Sequence, residues 1–94
     1  MSAIVVTRVK VQNFETFKSR YDEGEGFRRR FHVRGITVLR DAAEPNTVTI
    51  LTRFGSVADA KTMLTSDEFK EATKGSSVLS GETFYNEVVE EKSY

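Results

Sequence analysis

The 94-residue sequence contains no cysteine and no tryptophan, and it has only one histidine and one proline. Without cysteine the chain forms no disulfide, no thiolate metal site and no thiol nucleophile. A single histidine excludes metal sites that need two, but it still allows one axial ligand. Basic and acidic residues number 14 each. This even balance argues against nucleic-acid binding, which ordinarily needs a basic excess.

Long apolar runs are also absent. The opening residues MSAIVVTRVKV carry a charge at Arg8 and lack the basic start of a signal peptide. They are far shorter than the ~20 apolar residues of a membrane-spanning helix. We therefore expect a cytoplasmic protein that contacts no membrane. The length predicts a single domain over residues 1–94.

Local patterns predict strands at residues 3–11, 36–41, 47–54 and 82–91, from β-branched and alternating side chains. Asn13 is placed to cap a helix that begins near Phe14 and continues past Gly24. Ser56 and Ser66 are placed to cap two later helices, and Gly75 to end the last one. The order βαββαβ predicts an α+β, ferredoxin-like fold with a four-stranded antiparallel sheet.

Apolar residues occur on both faces of the predicted strands. Val5 and Val9 lie on one face of the first strand, while Ile4 and Val6 lie on the other. Helices in such a fold cover only one face of the sheet, so the second apolar face needs another partner. A second copy of the chain is the simplest partner for so small a protein. The pattern therefore predicts a homodimer that packs through the sheet.

Several segments in this order resemble one known superfamily. They are the aromatic pair of FETF, the Gly35-Ile36 step, RDAAEPNTVTI, and SDEFKEATKGSSVLSG. Together they are similar to the dimeric α+β barrels, in particular to antibiotic-biosynthesis-monooxygenase-like and small cyclase-like domains. The resemblance implies two protomers packed sheet against sheet, with a pocket between the sheet and the helices of each.

The resemblance also implies a range of activities. Members include cofactor-free monooxygenases that act on phenolic polyketides and quinols, haem-degrading enzymes and polyketide cyclases. Their pockets typically contain an Asn, a Trp and a Tyr or His, whereas this chain has no Trp. Asn13 is expected to cap a helix and Asn86 to lie on the last strand, so neither matches convincingly. No catalytic residue is therefore carried over from the family.

The segment GEGFRRRFHVRG, residues 24–35, concentrates four arginines and the only histidine. In one interpretation it is a solvated helix end. Asp22, Glu23 and Glu25 precede the arginines at helical spacing, and positive charge suits a helix C-terminus. The run then needs no ligand.

In a second interpretation the segment lines a pocket. Continuing the helix from Phe14 places several of its residues on one stripe. Phe17, Tyr21 and Phe31 would form aromatic walls, Arg28 would bind an anionic ligand group, and His32 would act as general acid or base beside the Tyr21 hydroxyl. Gly24 on the same stripe would leave room for the ligand.

These observations predict a dimeric small-molecule-binding protein, acting without a cofactor or metal as a monooxygenase or cyclase on an aromatic or polyketide-like compound. The alternative is a non-catalytic dimeric module whose pocket is filled by its own side chains. A third hypothesis is haem binding through His32.

Overall fold

The computed structural model describes residues 2–74 and 77–94. Within them, four strands form one antiparallel sheet in the order β2-β3-β1-β4, and four short helices connect them. This is the predicted ferredoxin-like arrangement, with two helices in each crossover. None of the described helices is long and apolar enough to cross a membrane. The elements are β1 (Ala3–Val11), α1 (Phe14–Asp22), α2 (Glu25–Arg30), β2 (Gly35–Arg40), β3 (Thr47–Phe54), α3 (Val57–Leu64), α4 (Asp67–Thr73) and β4 (Val78–Glu87).

Three helices begin at the polar residues that the sequence marked as caps. The side-chain oxygens of Asn13, Ser56 and Ser66 each accept a backbone N–H three residues further on, at 3.0, 3.1 and 3.0 Å. Each bond satisfies one amide that the first helical turn leaves without a partner. The predicted helix end at Gly75 lies outside the described residues, and α4 itself extends to Thr73.

The first helical region differs from its prediction. A single helix was expected to run from Phe14 through the arginines, but α1 ends at Asp22 and α2 begins at Glu25. Gly24 sits in the break, where its low helix propensity makes an interruption inexpensive. His32 follows α2 with a left-handed backbone angle, φ 63°. The continuous stripe that was to carry Arg28 and His32 together therefore does not form.

The last strand is also displaced from its prediction. It covers Val78–Glu87 rather than residues 82–91. Its register with β1 explains the difference, because Glu87 pairs with Ala3, the first residue of β1. Beyond that point β1 offers no further partner, so residues 88–94 leave the strand.

The helix-covered face of the sheet forms the core. Phe54 and Val48 on β3 are completely buried, and Val5 on β1 is 1% exposed. Two clusters of buried side chains lie on this face, one beneath α1 around Phe17 and one beneath α3 around Met63. Truncating a residue such as Phe54 to alanine is expected to cost about 3–5 kcal/mol of unfolding free energy.

The opposite face of the sheet is open and carries an apolar patch, with the charged Arg8 and Arg53 beside it. Val6 on β1 pairs with Leu51 on one side and with Phe84 on the other, so their side chains share this face. Leu39 is 45% exposed and Phe84 is 51% exposed. Apolar residues therefore occur on both faces of the sheet, as the strand pattern predicted.

Candidate ligand-binding site

A cavity of about 640 Å³ lies between the helix-covered face of the sheet and the helices. This volume falls within the range of roughly 300–1,000 Å³ that is usual for small-molecule sites. Its lining is mainly apolar, and its polar groups are few. The sheet contributes Val5, Thr7, Val9, Ile50, Thr52 and Phe54, and the helices contribute Phe17, Tyr21, Phe27, Arg28, Met63 and Phe69.

Tyr21 is the principal polar group in the cavity wall. Its ring stacks on Phe17 with the centroids 5.9 Å apart. Its hydroxyl is buried and has no hydrogen-bond partner among the described residues. Burial raises the pKa of the Tyr21 phenol, the positive charge of Arg28 partly offsets this effect, and Asp22 adds to it. The phenol is therefore neutral at physiological pH and can donate a hydrogen bond to a ligand.

Arg28 lies beside Tyr21 in the same wall. Its guanidinium carbon is 3.9 Å from the centroid of the Tyr21 ring, and its Nη1 donates to the Tyr21 carbonyl oxygen at 2.9 Å. Arg28 forms no ion pair with a carboxylate in residues 2–74 or 77–94. A half-buried guanidinium without a carboxylate partner is suited to bind an anionic ligand group.

Polar contacts join the two helical crossovers, and two of the groups involved, Arg20 and Glu23, also line the cavity. Arg20 donates to Glu23 Oε2 at 2.9 Å and to the Lys74 carbonyl oxygen at 3.2 Å. Arg30 approaches Glu68 to 3.3 Å, which links α2 to α4. Because these groups are exposed, each contact contributes little stability on its own.

The structure divides the predicted site residues into two groups. Phe17, Tyr21 and Arg28 line the cavity. Phe31 is half-buried against Phe27, with ring centroids 4.9 Å apart, and is not part of the cavity wall. His32 is exposed and also lies outside the wall.

The break between α1 and α2 accounts for this separation. Since His32 is the only histidine of the chain, the cavity contains no histidine to ligate a haem iron or to transfer a proton. Within the described residues, no group of three or more His, Asp or Glu side chains could hold a metal ion.

The arginine run is also divided. Arg29 and Arg30 are exposed. Arg29 pairs with Glu25, as the solvated-helix interpretation expects, whereas Arg30 pairs with Glu68 on α4, which that interpretation did not include. Arg28 alone of the three turns to the cavity. It also borders a smaller surface cleft of about 290 Å³, which Val33 and Arg34 help to line.

Two aromatic residues of the cavity were not anticipated. Phe27 on α2 and Phe69 on α4 both line it, with their ring centroids 6.3 Å apart. The continuous-helix prediction favoured Phe31 instead of Phe27. An apolar residue at position 69 in SDEFKEAT was the available signal for Phe69, but it did not indicate which surface that side chain would meet.

No protein-family model matches the chain, and no curated protein matches it. Several solved structures do match the chain. A Bordetella bronchiseptica protein provisionally named an antibiotic biosynthesis monooxygenase superimposes with a TM-score of 0.83 at 16% identity, over 94% of this chain and 97% of that one. SnoaB from Streptomyces nogalater, a cofactor-independent oxygenase, also superimposes with a TM-score of 0.83, at 15% identity over 96% of this chain and 95% of that one.

A third structure, from Bacteroides thetaiotaomicron and with the same provisional name, gives a TM-score of 0.72 at 19% identity, over 94% and 90% of the two chains. The chain therefore has the ferredoxin-like fold of the antibiotic biosynthesis monooxygenase-like proteins. This confirms the resemblance noted from the sequence at the level of the fold.

Proposed function

We propose that the cavity binds an aromatic small molecule that carries an ionisable oxygen, such as a phenol, a quinol or an aromatic acid. The unpartnered Tyr21 hydroxyl is the observation that carries this proposal. Buried polar groups are nearly always hydrogen-bonded, so an orphaned hydroxyl in a cavity wall favours a ligand oxygen as its partner. The adjacent Arg28 guanidinium would stabilise negative charge on that oxygen.

The rest of the cavity suits a flat ring. Phe17, Phe27 and Phe69 offer aromatic faces and edges, while Val5 and Ile50 provide an aliphatic floor. Aromatic rings prefer offset-stacked or edge-to-face contacts of this kind. The open volume of the cavity counts against the alternative of a module that fills its pocket with its own side chains.

For the reaction, we propose cofactor-free mono-oxygenation. The ligand is bound as its oxyanion, and the electrons of that anion reduce dioxygen. For a phenolic ligand, the ring carbon para to the oxyanion becomes a carbonyl, which makes the ligand a quinone. One atom of dioxygen becomes the new carbonyl oxygen, and the other leaves as water with the hydrogen of that carbon and the proton released from the phenol. The fold likeness to SnoaB supports this choice of reaction class. Arg28 and Tyr21 would act by stabilising the oxyanion on which this chemistry depends.

We further propose that two copies pair through the open sheet faces. Val6, Leu39, Leu51 and Phe84 form an apolar surface there. A partner sheet would remove this surface from water, at about 25 cal/mol per Å² of apolar area. The cavity lies on the opposite side of each sheet, so pairing would leave it accessible.

The proposal is tested first by ligand-induced stabilisation. A panel of phenols, quinols and aromatic acids is added to the parent protein, to Arg28→Ala and to Arg29→Ala. A ligand at about 100 times its Kd adds roughly 2.7 kcal/mol to the unfolding free energy, which raises the melting midpoint measurably. We expect a shift in the parent and in Arg29→Ala, the exposed neighbour, and a much smaller shift in Arg28→Ala.

Hits are then assayed for oxygen uptake. Consumption of one dioxygen per carbonyl formed supports mono-oxygenation, whereas conversion of a polyketide-like hit without oxygen uptake identifies a cyclase. If no compound in the panel shifts the parent, or if Arg28→Ala responds like the parent, the proposed site is wrong.

A further inference from the structure

Gly24 lies where α1 and α2 meet, directly beneath the Arg28 side chain. A Cβ atom built on Gly24 would lie 3.0 Å from Arg28 Nη1 and 3.4 Å from the Tyr21 carbonyl oxygen. The first distance is shorter than a relaxed contact, so an alanine at this position requires the guanidinium to move by a few tenths of an ångström, and a larger side chain requires it to move further. Gly24 itself has φ −85° and ψ 7°, which other residues also adopt. Space, rather than backbone conformation, is therefore what the glycine provides.

The nitrogen that a Cβ would meet is the one that holds Arg28 in place. Nη1 donates to the Tyr21 carbonyl oxygen at 2.9 Å, and that oxygen belongs to the backbone of α1 and cannot follow a displaced side chain. The same guanidinium stacks 3.9 Å from the Tyr21 ring centroid. Within the described residues, no carboxylate pairs with Arg28 to restore this position.

A displaced Arg28 has an alternative location. Arg28 borders both the cavity and the surface cleft formed with Glu25, Val33 and Arg34. The cleft is open to solvent and borders Glu25, whose carboxylate already pairs with Arg29 at 3.4 Å. The guanidinium can therefore leave the Tyr21 ring and remain solvated there.

We infer that Gly24 is a positioning residue, whose lack of a side chain holds the Arg28 guanidinium over Tyr21 and inside the cavity rather than in the surface cleft. The consequence for ligand binding rests on the proposed function, but the position of Arg28 does not. A side chain at position 24 should turn Arg28 outward in proportion to its size.

The test observes Arg28 directly by NMR. The face of an aromatic ring shifts nearby protons upfield, so the Arg28 side-chain resonances of the parent should be displaced from ordinary arginine values. We expect the displacement to shrink in Gly24→Ala and to vanish in Gly24→Leu. Tyr21→Leu, which removes the ring, supplies the reference position of the resonances.

Gly26 offers a matched control two residues further on. It is exposed, and a Cβ built there meets no described atom within 4 Å. Gly26→Ala and Gly26→Leu should therefore leave the Arg28 resonances unchanged. Circular dichroism and melting curves of all four variants report whether each is folded, and Gly24→Ala preserves the comparison if Gly24→Leu does not fold.

Ligand affinity supplies the second readout. For an acidic ligand from the panel, Gly24→Leu should weaken binding about tenfold or more, as loss of a charge-assisted contact does, and Gly24→Ala should weaken it less. A neutral analogue should be affected much less. Unchanged Arg28 resonances in Gly24→Ala, or equal changes in the Gly26 variants, overturn the inference even if ligands bind. If no ligand binds, the proposed function fails, while the resonances still decide the role of Gly24.

Discussion

The guanidinium carbon of Arg28 lies 3.9 Å from the centroid of the Tyr21 ring, across the break between α1 and α2. A contact of this kind is worth about 0.5–2 kcal/mol, depending on how far it is removed from water. In an unbroken helix, residues 21 and 28 would be two turns apart. The break therefore brings together the two side chains on which the candidate site depends.

Tyr21→Phe should separate stability from binding. The substitution removes a buried hydroxyl without a partner in the described part of the chain and keeps the ring that contacts Phe17 and Arg28. We expect the free energy of unfolding, measured by urea denaturation, to stay level or to rise by about 1 kcal/mol. Affinity for phenolic ligands should fall in the same variant.

Tyr85→Phe is a suitable comparison, because Tyr85 lies outside the cavity wall and is partly exposed. Tyr85→Phe should change neither the free energy of unfolding nor the affinity for phenolic ligands by much. A clear loss of stability in Tyr21→Phe would mean that the hydroxyl is satisfied within the protein, which would contradict its assignment to a ligand.

Phe84→Lys should abolish pairing through the open sheet face. Phe84 is 51% exposed beside Val6, so a single chain can accommodate lysine there, whereas two packed sheets would bury its charge. We expect the parent to sediment as a dimer at micromolar concentration and the variant as a folded monomer. Thr83→Lys places the same charge on the opposite face of β4 and should leave the dimer intact.

A monomeric parent would refute pairing outright, and a Phe84→Lys variant that remains dimeric would place the interface elsewhere. Val5→Lys is unsuitable for this purpose. Val5 is 1% exposed on the helix-covered face, so its substitution would disrupt the core of each chain.

Asp41 should make stability sensitive to acid. Its carboxylate accepts the backbone N–H groups of Glu44 and Ala43 in the β2–β3 turn, at 2.9 and 3.0 Å. These two bonds, with a smaller contribution from Arg8, lower the pKa of Asp41 below its ordinary value of 3.8. The unfolded chain therefore takes up this proton first as the pH falls.

The contribution of Asp41 is consequently complete above about pH 5 and is lost as the pH falls through the unfolded pKa toward the lowered pKa of the folded state. Asp41→Asn cannot lose a charge on acidification. We expect unfolding free energies measured between about pH 5 and pH 2 to fall less steeply in Asp41→Asn than in the parent. Equal slopes would show that the turn contributes nothing to acid unfolding.

The features predicted correctly from the sequence are those decided over a few residues. Asn13, Ser56 and Ser66 cap their helices because each bond reaches an amide only three positions away. The two faces of β1 and β3 follow from alternation alone, since successive side chains of a strand point in opposite directions. These local rules were sufficient for the order of elements and for the fold class.

Longer-range relations were decided by packing. The end of β4 at Glu87 depends on where its partner β1 begins, which no pattern within residues 78–91 records. The composition of the cavity wall also depends on packing between distant segments. Phe17 and Tyr21 were found because they share one helix, whereas Phe27 and Phe69 meet only when α2 and α4 pack together.

In the arginine segment, residues 24–35, some features follow from the local sequence and others from tertiary packing. Its composition alone established a cluster of positive charge with acidic residues beside it, which is enough for the pair of Arg29 with Glu25. The pair of Arg30 with Glu68 forms only because α2 and α4 pack together. The predicted helical stripe had already distinguished Arg28 from its neighbours, but it placed His32 beside Arg28, and only the tertiary structure left His32 in solvent. The physical reason is the break at Gly24. At the break the chain changes direction, so helical spacing counted from α1 no longer predicts where the side chains of α2 and of the residues after it point.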